Sequence, residues 1–360
     1  MAKIGIILHP YGEGKPAGLG RYIFDLTRYL IENDKENEYI VYLKKNHKIM
    51  PEFTTSNWRI EILGFGRFWM EIGLLFAPKA DIYIFNTPVM PIFFHPKKSI
   101  VVALDFAYLY FKPEGFRNRI NNFLLYKMNG LALRREDNIV SISEATKKDI
   151  IRLFDIPHKK IEVIYPGFSK ICVLPSEKIA VPLNFFLYVG VIKERKNLLN
   201  IIKGFYEFKK KNESDFKFVV AGNGNNVYYR EILRFIEENN LKEDVIFLGF
   251  VSDNQLSFLY KNASALVFPS LIEGFGMPVL EAMACGLPVI TSDRSSLSEV
   301  AGGAALLVDP KNPEDIATAM AKMVFDEKLR DELVNKADLR AGDFSWENCA
   351  KKFIELFKKI

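Results

Sequence analysis

Two glutamates in the second half of the chain carry the strongest chemical signal. Glu273 and Glu281 flank the glycine-containing segment GFGMPVL, in which Pro278 suits the first position of a helix. We therefore expect Glu281 in the first turn of that helix and Glu273 on the loop before it, with both facing one ligand. A carboxylate in such a place can accept hydrogen bonds from two sugar hydroxyl groups.

The backbone of the same loop would suit an anion. Phe275, Gly276 and Met277 are expected to present their N–H groups at a helix N-terminus, where phosphate groups bind readily. A plainer alternative is that Glu281 only complements the dipole of its own helix. The pattern favours a ligand that combines sugar hydroxyls with phosphate.

Two adjacent cations, Arg195 and Lys196, form a second candidate site. They follow a predicted strand that ends at Gly190, and we expect them to open the next helix. Two cations at a helix N-terminus are unfavourable unless an anion lies beside them. A bidentate Arg and a point-charge Lys suit a diphosphate, whereas the alternative is a solvent-exposed basic turn.

A glycine-rich loop between His9 and Gly20 gives a weaker signal. It includes Gly18, and we expect Arg21 to open a helix behind it, so that exposed N–H groups could hold an anion. The glycine spacing is not the dinucleotide-binding G-x-G-x-x-G. The alternative is a mobile connecting loop.

The elements that must position these residues alternate between strands and helices along the chain. Predicted strands of the first half are Lys3–Leu8, Tyr39–Leu43, Asp81–Phe85, Ile100–Leu104 and Asn138–Ile142. A proline-containing stretch over 155–181 has the composition of a linker, and the alternation restarts at 185–189. Short apolar strands between helices predict an α/β protein with two doubly wound units, which bind ligands at the carboxyl ends of their strands.

Composition is typical of a soluble globular protein, since 49% of the 360 residues are apolar and 26% are charged. Cys172, Cys285 and Cys349 are far apart and form no CxxC pair. This spacing argues against a zinc site and against disulfides, and it fits a reducing compartment. The N-terminus, interrupted by Pro10, does not resemble a signal peptide, and no apolar run could span a bilayer, so a cytoplasmic protein is expected.

Positive charge is concentrated in the first half of the chain. Residues 1–170 hold 25 Lys and Arg against 18 Asp and Glu, whereas 171–360 hold 24 against 26. The stretch 117–135 interleaves basic with apolar side chains. It is either an amphipathic helix with a solvated basic face or a surface for anionic lipid headgroups or an anionic acceptor. Nucleic acid is not an expected partner, because no aromatic–basic recognition module is present.

Taken together, these motifs resemble the retaining glycosyltransferases of family 4, which have the GT-B fold. The segments that carry the resemblance are Gly18–Tyr22, Val140–Ile150, Ile161–Gly167, Tyr188–Leu198, Val219–Gly224, Val245–Phe250 and Glu273–Val289. The resemblance implies two Rossmann-like domains facing a central cleft. An acceptor-binding domain would cover 1–170 and a donor domain 171–344, and a C-terminal helix over 345–360 would cross back to the first domain.

By position, the resemblance implies catalytic roles for Arg195 and Lys196 at the diphosphate and for Glu273 at the sugar hydroxyls. Other donor contacts are implied for Gly18, Gly20, Gly190, Gly222, Asn223, Phe250, Phe275, Gly276, Met277 and, at the ribose, Glu281. The family often has His-Asp after a first-domain strand, where this chain has Leu104-Asp105. We align Asp105 with the Asp as a catalytic candidate, although an alignment without a gap puts it in the His place. The usual histidine is missing in either case, and His9 is only a weak substitute.

The resemblance implies transfer of a hexose, with mannose from GDP-mannose as the first choice, to a saccharide or lipid-linked acceptor in surface-polysaccharide synthesis. The anomeric configuration would be retained. The lack of an Asp-x-Asp motif predicts no metal, and no resident cofactor is expected. A lipid-linked acceptor would suit a peripheral position at the inner membrane face. Alternatives are a UDP-sugar-dependent glucosyl or GlcNAc transferase, a sugar-nucleotide epimerase and a non-catalytic sugar-nucleotide-binding subunit.

Overall fold

The structure is a computed structural model that describes residues 1–9, 18–45, 50–113 and 115–360. The chain divides into an N-terminal unit, residues 1–167 together with 344–360, and a C-terminal unit, residues 168–343. The boundaries drawn from the sequence, after 170 and after 344, differ from these divisions by a few residues. Each unit is built on its own parallel sheet.

The described residues of the N-terminal unit form a seven-stranded sheet in the order β3-β2-β1-β4-β5-β6-β7. Its strands are β1 (Lys3–Ile7), β2 (Glu38–Lys44), β3 (Trp58–Leu63), β4 (Ile82–Phe85), β5 (Ser99–Ala103), β6 (Ile139–Ser141) and β7 (Ile161–Val163). Its helices are α1 (Gly18–Asn33), α2 (Leu74–Phe76), α3 (Phe116–Arg135), α4 (Glu144–Phe154) and the C-terminal helix, Trp346–Lys359. The central strands β4 and β5 are buried at every residue, which is why Ile82–Phe85 and Ile100–Ala103 read as unbroken apolar runs.

The C-terminal unit contains a six-stranded sheet in the order β10-β9-β8-β11-β12-β13. Its strands are β8 (Phe185–Val189), β9 (Lys217–Ala221), β10 (Val245–Gly249), β11 (Ala265–Phe268), β12 (Val289–Ser292) and β13 (Leu306–Val308). Its helices are α5 (Leu198–Asn212), α6 (Val227–Glu238), α7 (Asp253–Asn262), α8 (Met277–Ala284), α9 (Ser295–Ala301), α10 (Pro313–Phe325) and α11 (Glu327–Gly342). In each sheet the strand order reverses beside its first strand. The two sheets confirm the predicted class of doubly wound, Rossmann-like units.

The C-terminal helix, α12, packs against α1 in the N-terminal unit. Trp346 is buried, with its ring 5.6 Å from that of Tyr22 and 6.3 Å from that of Tyr29. A Cβ at Gly167 would lie 2.1 Å from the Trp346 backbone nitrogen, so this close approach requires glycine. The last helix is therefore fixed to the unit in which the chain begins.

The expectation that the cysteines form no disulfide is wrong in this structure. Cys172 and Cys285 are joined by a disulfide with a Cα–Cα distance of 5.5 Å, and Cys349 is free and buried. A short 3-10 turn at Ile171–Val173 packs against α7 and α8, and Cys285 directly follows α8. A separation of 113 residues gave no local sequence signal for this pairing.

Candidate active site

The candidate residues of the C-terminal unit gather at the carboxyl ends of its strands. Gly190 follows β8, Gly222 and Asn223 follow β9, Phe250 follows β10, and the loop containing Glu273 follows β11. A Cβ at Gly222 would lie 1.9 Å from the carbonyl oxygen of Gly190, so β8 and β9 can end this close together only with glycine there. The carboxyl edge of a parallel sheet is where doubly wound folds bind ligands.

The sequence predicted that Arg195 and Lys196 begin α5. In the structure they lie in a short turn before that helix, which begins at Leu198. They end a 3-10 turn, and Asn197 then takes a left-handed conformation with a φ of 65° before the helix begins. The Asn197 side-chain amide donates to the carbonyl oxygens of Pro269 at 2.9 Å and Pro310 at 2.6 Å. These bonds fix the basic turn to the end of β11.

Glu273 pairs with both of these cations. Its Oε2 accepts a hydrogen bond from Arg195 Nη1 at 2.9 Å, and its Oε1 lies 2.6 Å from Lys196 Nζ. The Glu273 side chain is only 7% exposed, and the Lys196 ammonium also lies 4.7 Å from the centroid of the Phe268 ring. The anion that two adjacent cations require is therefore supplied, in this structure, by the chain itself.

The charge of Glu273 is set by these neighbours. Burial by itself raises the pKa of the Glu273 carboxyl, but Lys196 and Arg195, with help from the Ser270 hydroxyl, hold it below its ordinary value. Glu273 is therefore an ionised, acceptor-only group at neutral pH. A general acid needs a raised carboxyl pKa, so Glu273 is unsuited to that role.

Glu281 lies in the second turn of α8, and not in the first turn as predicted. The helix begins at Met277, and Tyr260 on α7 donates its hydroxyl to Glu281 Oε2 at 3.0 Å. Helix-dipole stabilisation is largest within the first turn. Glu281 is thus held by a residue of another helix, at a position where the stabilisation by its own helix dipole is smaller than in the first turn.

The conformation of the loop between the two glutamates requires glycine at position 276, and the loop offers a ligand mainly backbone groups. Gly276 has a φ of 118°, and a Cβ there would lie 2.6 Å from Leu297 Cδ2. The Phe275 side chain is buried, with 4% exposed, so this residue can offer a ligand only its backbone. Met277 begins α8, which places the N-terminus of that helix directly after the Glu273 loop.

Several residues that shape the site were missed by sequence reasoning. Ser295 and Ser296 bond to the backbone of the Glu273 loop, Tyr260 holds Glu281, and Asn197 anchors the basic turn. A signal existed only for the serines, because a Ser-rich turn after a strand is typical of a helix N-terminus. Tyr260 and Asn197 act through contacts with residues distant in sequence.

In the N-terminal unit, Gly18 and Gly20 lie in the first turn of α1, which begins three residues earlier than the predicted start at Arg21. The rest of the glycine-rich loop, 10–17, lies outside the described residues. Asp105 is exposed just after β5, and its carboxylate accepts a hydrogen bond from the backbone N–H of Ala107 at 3.0 Å. These candidates lie at the carboxyl ends of β1 and β5.

The residue that directly follows β5 is Leu104, at the position where the sequence lacks the usual histidine. Leu104 offers its carbonyl oxygen to the Thr146 hydroxyl at 3.1 Å. His9 lies two residues after the end of β1. Its ring makes an edge contact with the ring of Trp69, with 5.5 Å between the ring centroids. His9 therefore packs on an aromatic ring of its own unit.

Within 1–9, 18–45, 50–113 and 115–360, no group of three or more His, Cys, Asp or Glu side chains could hold a metal ion. Within the same ranges, no helix is long and apolar enough to cross a membrane.

The chain matches two families of known proteins. Residues 153–340 match the family described as "Glycosyl transferases group 1", and residues 16–169 match "Glycosyltransferase Family 4". The first match covers more than half of the chain and contains all the candidate residues of the C-terminal unit. The second contains Gly18, Gly20 and Asp105.

Individual relatives extend these matches. O-antigen chain mannosyltransferase B of Escherichia coli is 30% identical over 62% of this chain and 60% of that protein. Serotype-specific mannosyltransferase WbdA of Escherichia coli is 31% identical over 79% of this chain but only 36% of its own length. A Campylobacter jejuni N-acetylgalactosaminyltransferase, whose name specifies a diphospho-undecaprenol acceptor, is 32% identical over 64% of this chain and 61% of that protein. The chain thus matches less than two thirds of the length of these curated relatives.

Among solved structures, the sucrose-phosphate synthase of Thermosynechococcus elongatus superposes over 100% of this chain and 99% of its own. The TM-score is 0.77 at 17% sequence identity. This likeness shows a shared fold.

Proposed function

Because the chain belongs to the group 1 glycosyl transferases, we propose that it transfers a hexose from a nucleotide diphosphate sugar to a saccharide or lipid-linked acceptor. The observation that carries the proposal is the buried carboxylate of Glu273 held between Arg195 and Lys196 at the carboxyl edge of the sheet. The mannosyltransferase names of the relatives support GDP-mannose as the first donor to test. A UDP-sugar is the alternative donor.

The basic pair can serve the donor diphosphate without releasing Glu273. A guanidinium carries five N–H donors and an ammonium carries three, so each cation can bind the carboxylate and a phosphate oxygen together. Charge grows on the diphosphate as the anomeric bond breaks. Arg195 and Lys196 would stabilise that charge from fixed positions, which is electrostatic preorganisation.

Glu273 and Glu281 would orient the two ends of the donor. Glu273, kept ionised by its neighbours, would accept hydrogen bonds from sugar hydroxyls, and Glu281, held by Tyr260, would accept them from the ribose. Asp105 in the N-terminal unit is the candidate for the acceptor side. Each carboxylate is thereby assigned to binding and orientation.

We further propose that transfer retains the anomeric configuration and needs no metal ion. A carboxylate already paired with two cations is a weak nucleophile, so a covalent glycosyl intermediate on Glu273 is disfavoured. The acceptor hydroxyl would attack on the face from which the diphosphate departs and pass its proton to the departing phosphate oxygen. Arg195 and Lys196 would supply the positive charge that a metal ion provides in other enzymes.

A lipid-linked acceptor would be reached at an anionic membrane surface through α3. The helix exposes the apolar residues Phe116, Ile120, Phe123, Leu124, Met128 and Leu131 together with the basic residues Arg117, Arg119, Lys127, Arg134 and Arg135. These two kinds of side chain are exposed together, which a solvated basic face alone does not explain. Further exposed aromatic rings at Phe65, Phe68, Phe76 and Phe93 belong to segments that pack over the same core cluster as α3.

Vesicle binding tests the membrane contact. Reversing charge with Arg119→Glu and Arg134→Glu should weaken sedimentation with vesicles that contain an anionic phospholipid. Lys351→Glu with Lys352→Glu reverses two exposed charges on α12 of the same unit and is the matched control. Equal binding by the α3 variant and the wild-type protein would contradict this part of the proposal.

Calorimetric titration with GDP-mannose, UDP-glucose and UDP-GlcNAc in EDTA tests the main proposal. One donor should bind to the wild-type protein, and Lys196→Ala should weaken its binding. Lys209→Ala is the matched control, because Lys209 and Lys217 pair with Asp244 at 2.7 Å each in a similar cluster of two cations and one carboxylate. Loss of binding in both variants, or no binding of any donor by the wild-type protein, would count against the proposal.

Product analysis then separates transfer from the competing activities. With donor and a lipid-linked or saccharide acceptor, the new glycosidic bond should have the same anomeric configuration as the donor, as read from its NMR couplings. An altered free nucleotide sugar without acceptor would indicate an epimerase. Donor binding with no product at all would indicate a sugar-nucleotide-binding subunit.

A further inference from the structure

A serine at the start of α9 holds the backbone of Glu273. Ser295 Oγ donates to the carbonyl oxygen of Glu273 at 2.8 Å and accepts from the N–H of Glu273 at 3.3 Å. One hydroxyl therefore satisfies both backbone polar groups of the residue that pairs with Arg195 and Lys196.

The next serine strengthens the same connection. Ser296 is fully buried, and its Oγ lies 2.9 Å from the carbonyl oxygen of Glu273 and 2.9 Å from that of Phe275. The Glu273 carbonyl is thus bonded by two hydroxyls. The two serines fix the chain on both sides of Gly274, where the backbone would otherwise be least restricted.

The conformation of Ser295 shows that its hydroxyl is not incidental. Its φ of 57° lies in the left-handed region, which costs free energy for a residue with a Cβ and costs glycine nothing. Strained backbone of this kind persists where the surroundings enforce it and is concentrated at functional sites. A serine at this position adopts an unfavourable backbone conformation and forms two hydrogen bonds with the backbone of Glu273.

The position of the Glu273 backbone decides where its carboxylate lies. The two oxygens divide between Arg195 Nη1 at 2.9 Å and Lys196 Nζ at 2.6 Å, so a small shift of the loop would lengthen both contacts. Charge-assisted bonds depend strongly on such geometry. Loop position and carboxylate position are therefore coupled.

We propose that Ser295 and Ser296 are positioning residues that hold the Glu273 carboxylate in the geometry needed for the donor sugar. This inference rests on the proposed role of Glu273 in donor binding. Neither serine is required to touch the substrate. They act through the backbone of the Glu273 loop.

The test compares Ser295→Gly and Ser296→Ala with the wild-type protein in steady-state sugar transfer. A misplaced orienting group costs up to about 10²-fold in rate, so we expect kcat to fall roughly 10- to 100-fold with a smaller change in donor KM. Ser295→Gly should unfold within about 3 °C of the wild-type protein, because glycine relieves the positive φ while two hydrogen bonds are lost. A purely structural role would not produce this separation of rate from stability.

Ser257→Ala is the matched control. Ser257 is also fully buried, and its hydroxyl donates to the carbonyl oxygen of Leu174 at 3.3 Å, away from the Glu273 loop. It should leave kcat unchanged. An equal loss of kcat in Ser257→Ala, or wild-type kcat in both Ser295→Gly and Ser296→Ala, would overturn the proposal.

A second readout does not depend on activity. The ¹³C carboxyl resonance of Glu273, identified by its absence in Glu273→Gln, should titrate with a higher pKa in Ser295→Gly and Ser296→Ala than in the wild-type protein. If the wild-type protein transfers no sugar from any donor, the proposed function fails and this titration alone decides the positioning role. An unchanged Glu273 titration in both variants would then overturn it.

Discussion

Replacing Lys196 by alanine separates the contribution of the basic pair to catalysis from its contribution to folding. The variant removes the ammonium that lies 2.6 Å from Glu273 Oε1 and leaves Arg195 in place at 2.9 Å from Oε2. We expect a large loss of rate together with a moderate loss of stability. The two effects have different physical origins and can be sized separately.

The variant is less stable because Glu273 Oε1 stays buried without the ammonium that neutralises it. Removing one partner of a buried ion pair costs about 3–5 kcal/mol, and we expect the lower end, about 3 kcal/mol, because Arg195 still pairs with Glu273. For a domain of this size, that lowers the unfolding midpoint by roughly 6–12 °C. The Lys196 side chain is only 14% exposed, so water replaces little of the lost interaction.

The rate effect follows from the charge that develops on the diphosphate. Removing one preorganised charge-stabilising group typically lowers kcat by about 10²–10³-fold. The assay measures initial transfer rates at a temperature where circular dichroism shows both proteins folded. Donor affinity is measured on the same preparations.

Lys209→Ala supplies the comparison that makes the result interpretable. It breaks one of the two ion pairs of Asp244 in the same unit and should lower the unfolding midpoint without changing the rate. A Lys196→Ala rate within about threefold of the wild-type value would refute the assignment of Lys196 to the diphosphate, since the expected loss is at least about 10²-fold. So would an equal rate loss in Lys209→Ala.

Three further predictions follow from single contacts. Gly222→Ala should abolish donor binding, because its Cβ would lie 1.9 Å from the Gly190 carbonyl oxygen and would force the ends of β8 and β9 apart; wild-type affinity in calorimetry would contradict this. Reduction of the Cys172–Cys285 disulfide should lower the unfolding midpoint by on the order of 10 °C, since closing a loop of 113 residues stabilises by about 4–5 kcal/mol; equal midpoints with and without dithiothreitol would argue against the bond. Glu273, whose pKa is held low, adds stability that is complete above the ordinary glutamate pKa of about 4.3 and is lost as pH falls through its folded value. The difference in unfolding free energy between the wild-type protein and Glu273→Gln should therefore become smaller below about pH 4. If denaturant titrations show the same difference at every pH, the ion pairs of Glu273 do not contribute to stability.

Most of the strands that the sequence predicted are buried on both faces. The segments Ile82–Phe85 in β4 and Ile100–Ala103 in β5 are unbroken apolar runs, and such runs between helices admit few other interpretations. The edge strand β3 has polar and apolar residues, and all but one of its side chains are partly or fully exposed. The edge strand β7 has only three residues, which lie inside a stretch with linker composition. Neither of these two strands was predicted, because a strand with exposed or mixed side chains, or with only three residues, shows no clear apolar pattern.

For the site, the sequence indicated residue types but not their pairing. Glu273, Arg195 and Lys196 were each assigned to a ligand, and nothing local showed that they contact one another across 78 residues. The expected helix starts at Arg195 and Pro278 were also inexact. The helices begin three residues later, at Leu198, and one residue earlier, at Met277, so Lys196 precedes its helix and Glu281 falls in a second turn. Ser295 was missed because its role depends on a bond to a loop 22 residues away.

A second cluster of the same composition shows why charge alone did not identify the site. Burial raises the pKa of Asp244, but Lys209 and Lys217 hold it below its ordinary value, as Lys196 and Arg195 do for Glu273. Asp244 immediately precedes β10, at the amino edge of the sheet, where doubly wound folds do not bind ligands. Carboxylates with a shifted pKa occur in structural as well as functional clusters. The position in the sheet and the backbone conformation therefore distinguish the Glu273 cluster from the Asp244 cluster. Glu273 lies at the carboxyl edge, and the strained residue that holds its backbone gives the carboxylate a fixed position that a structural ion pair does not require.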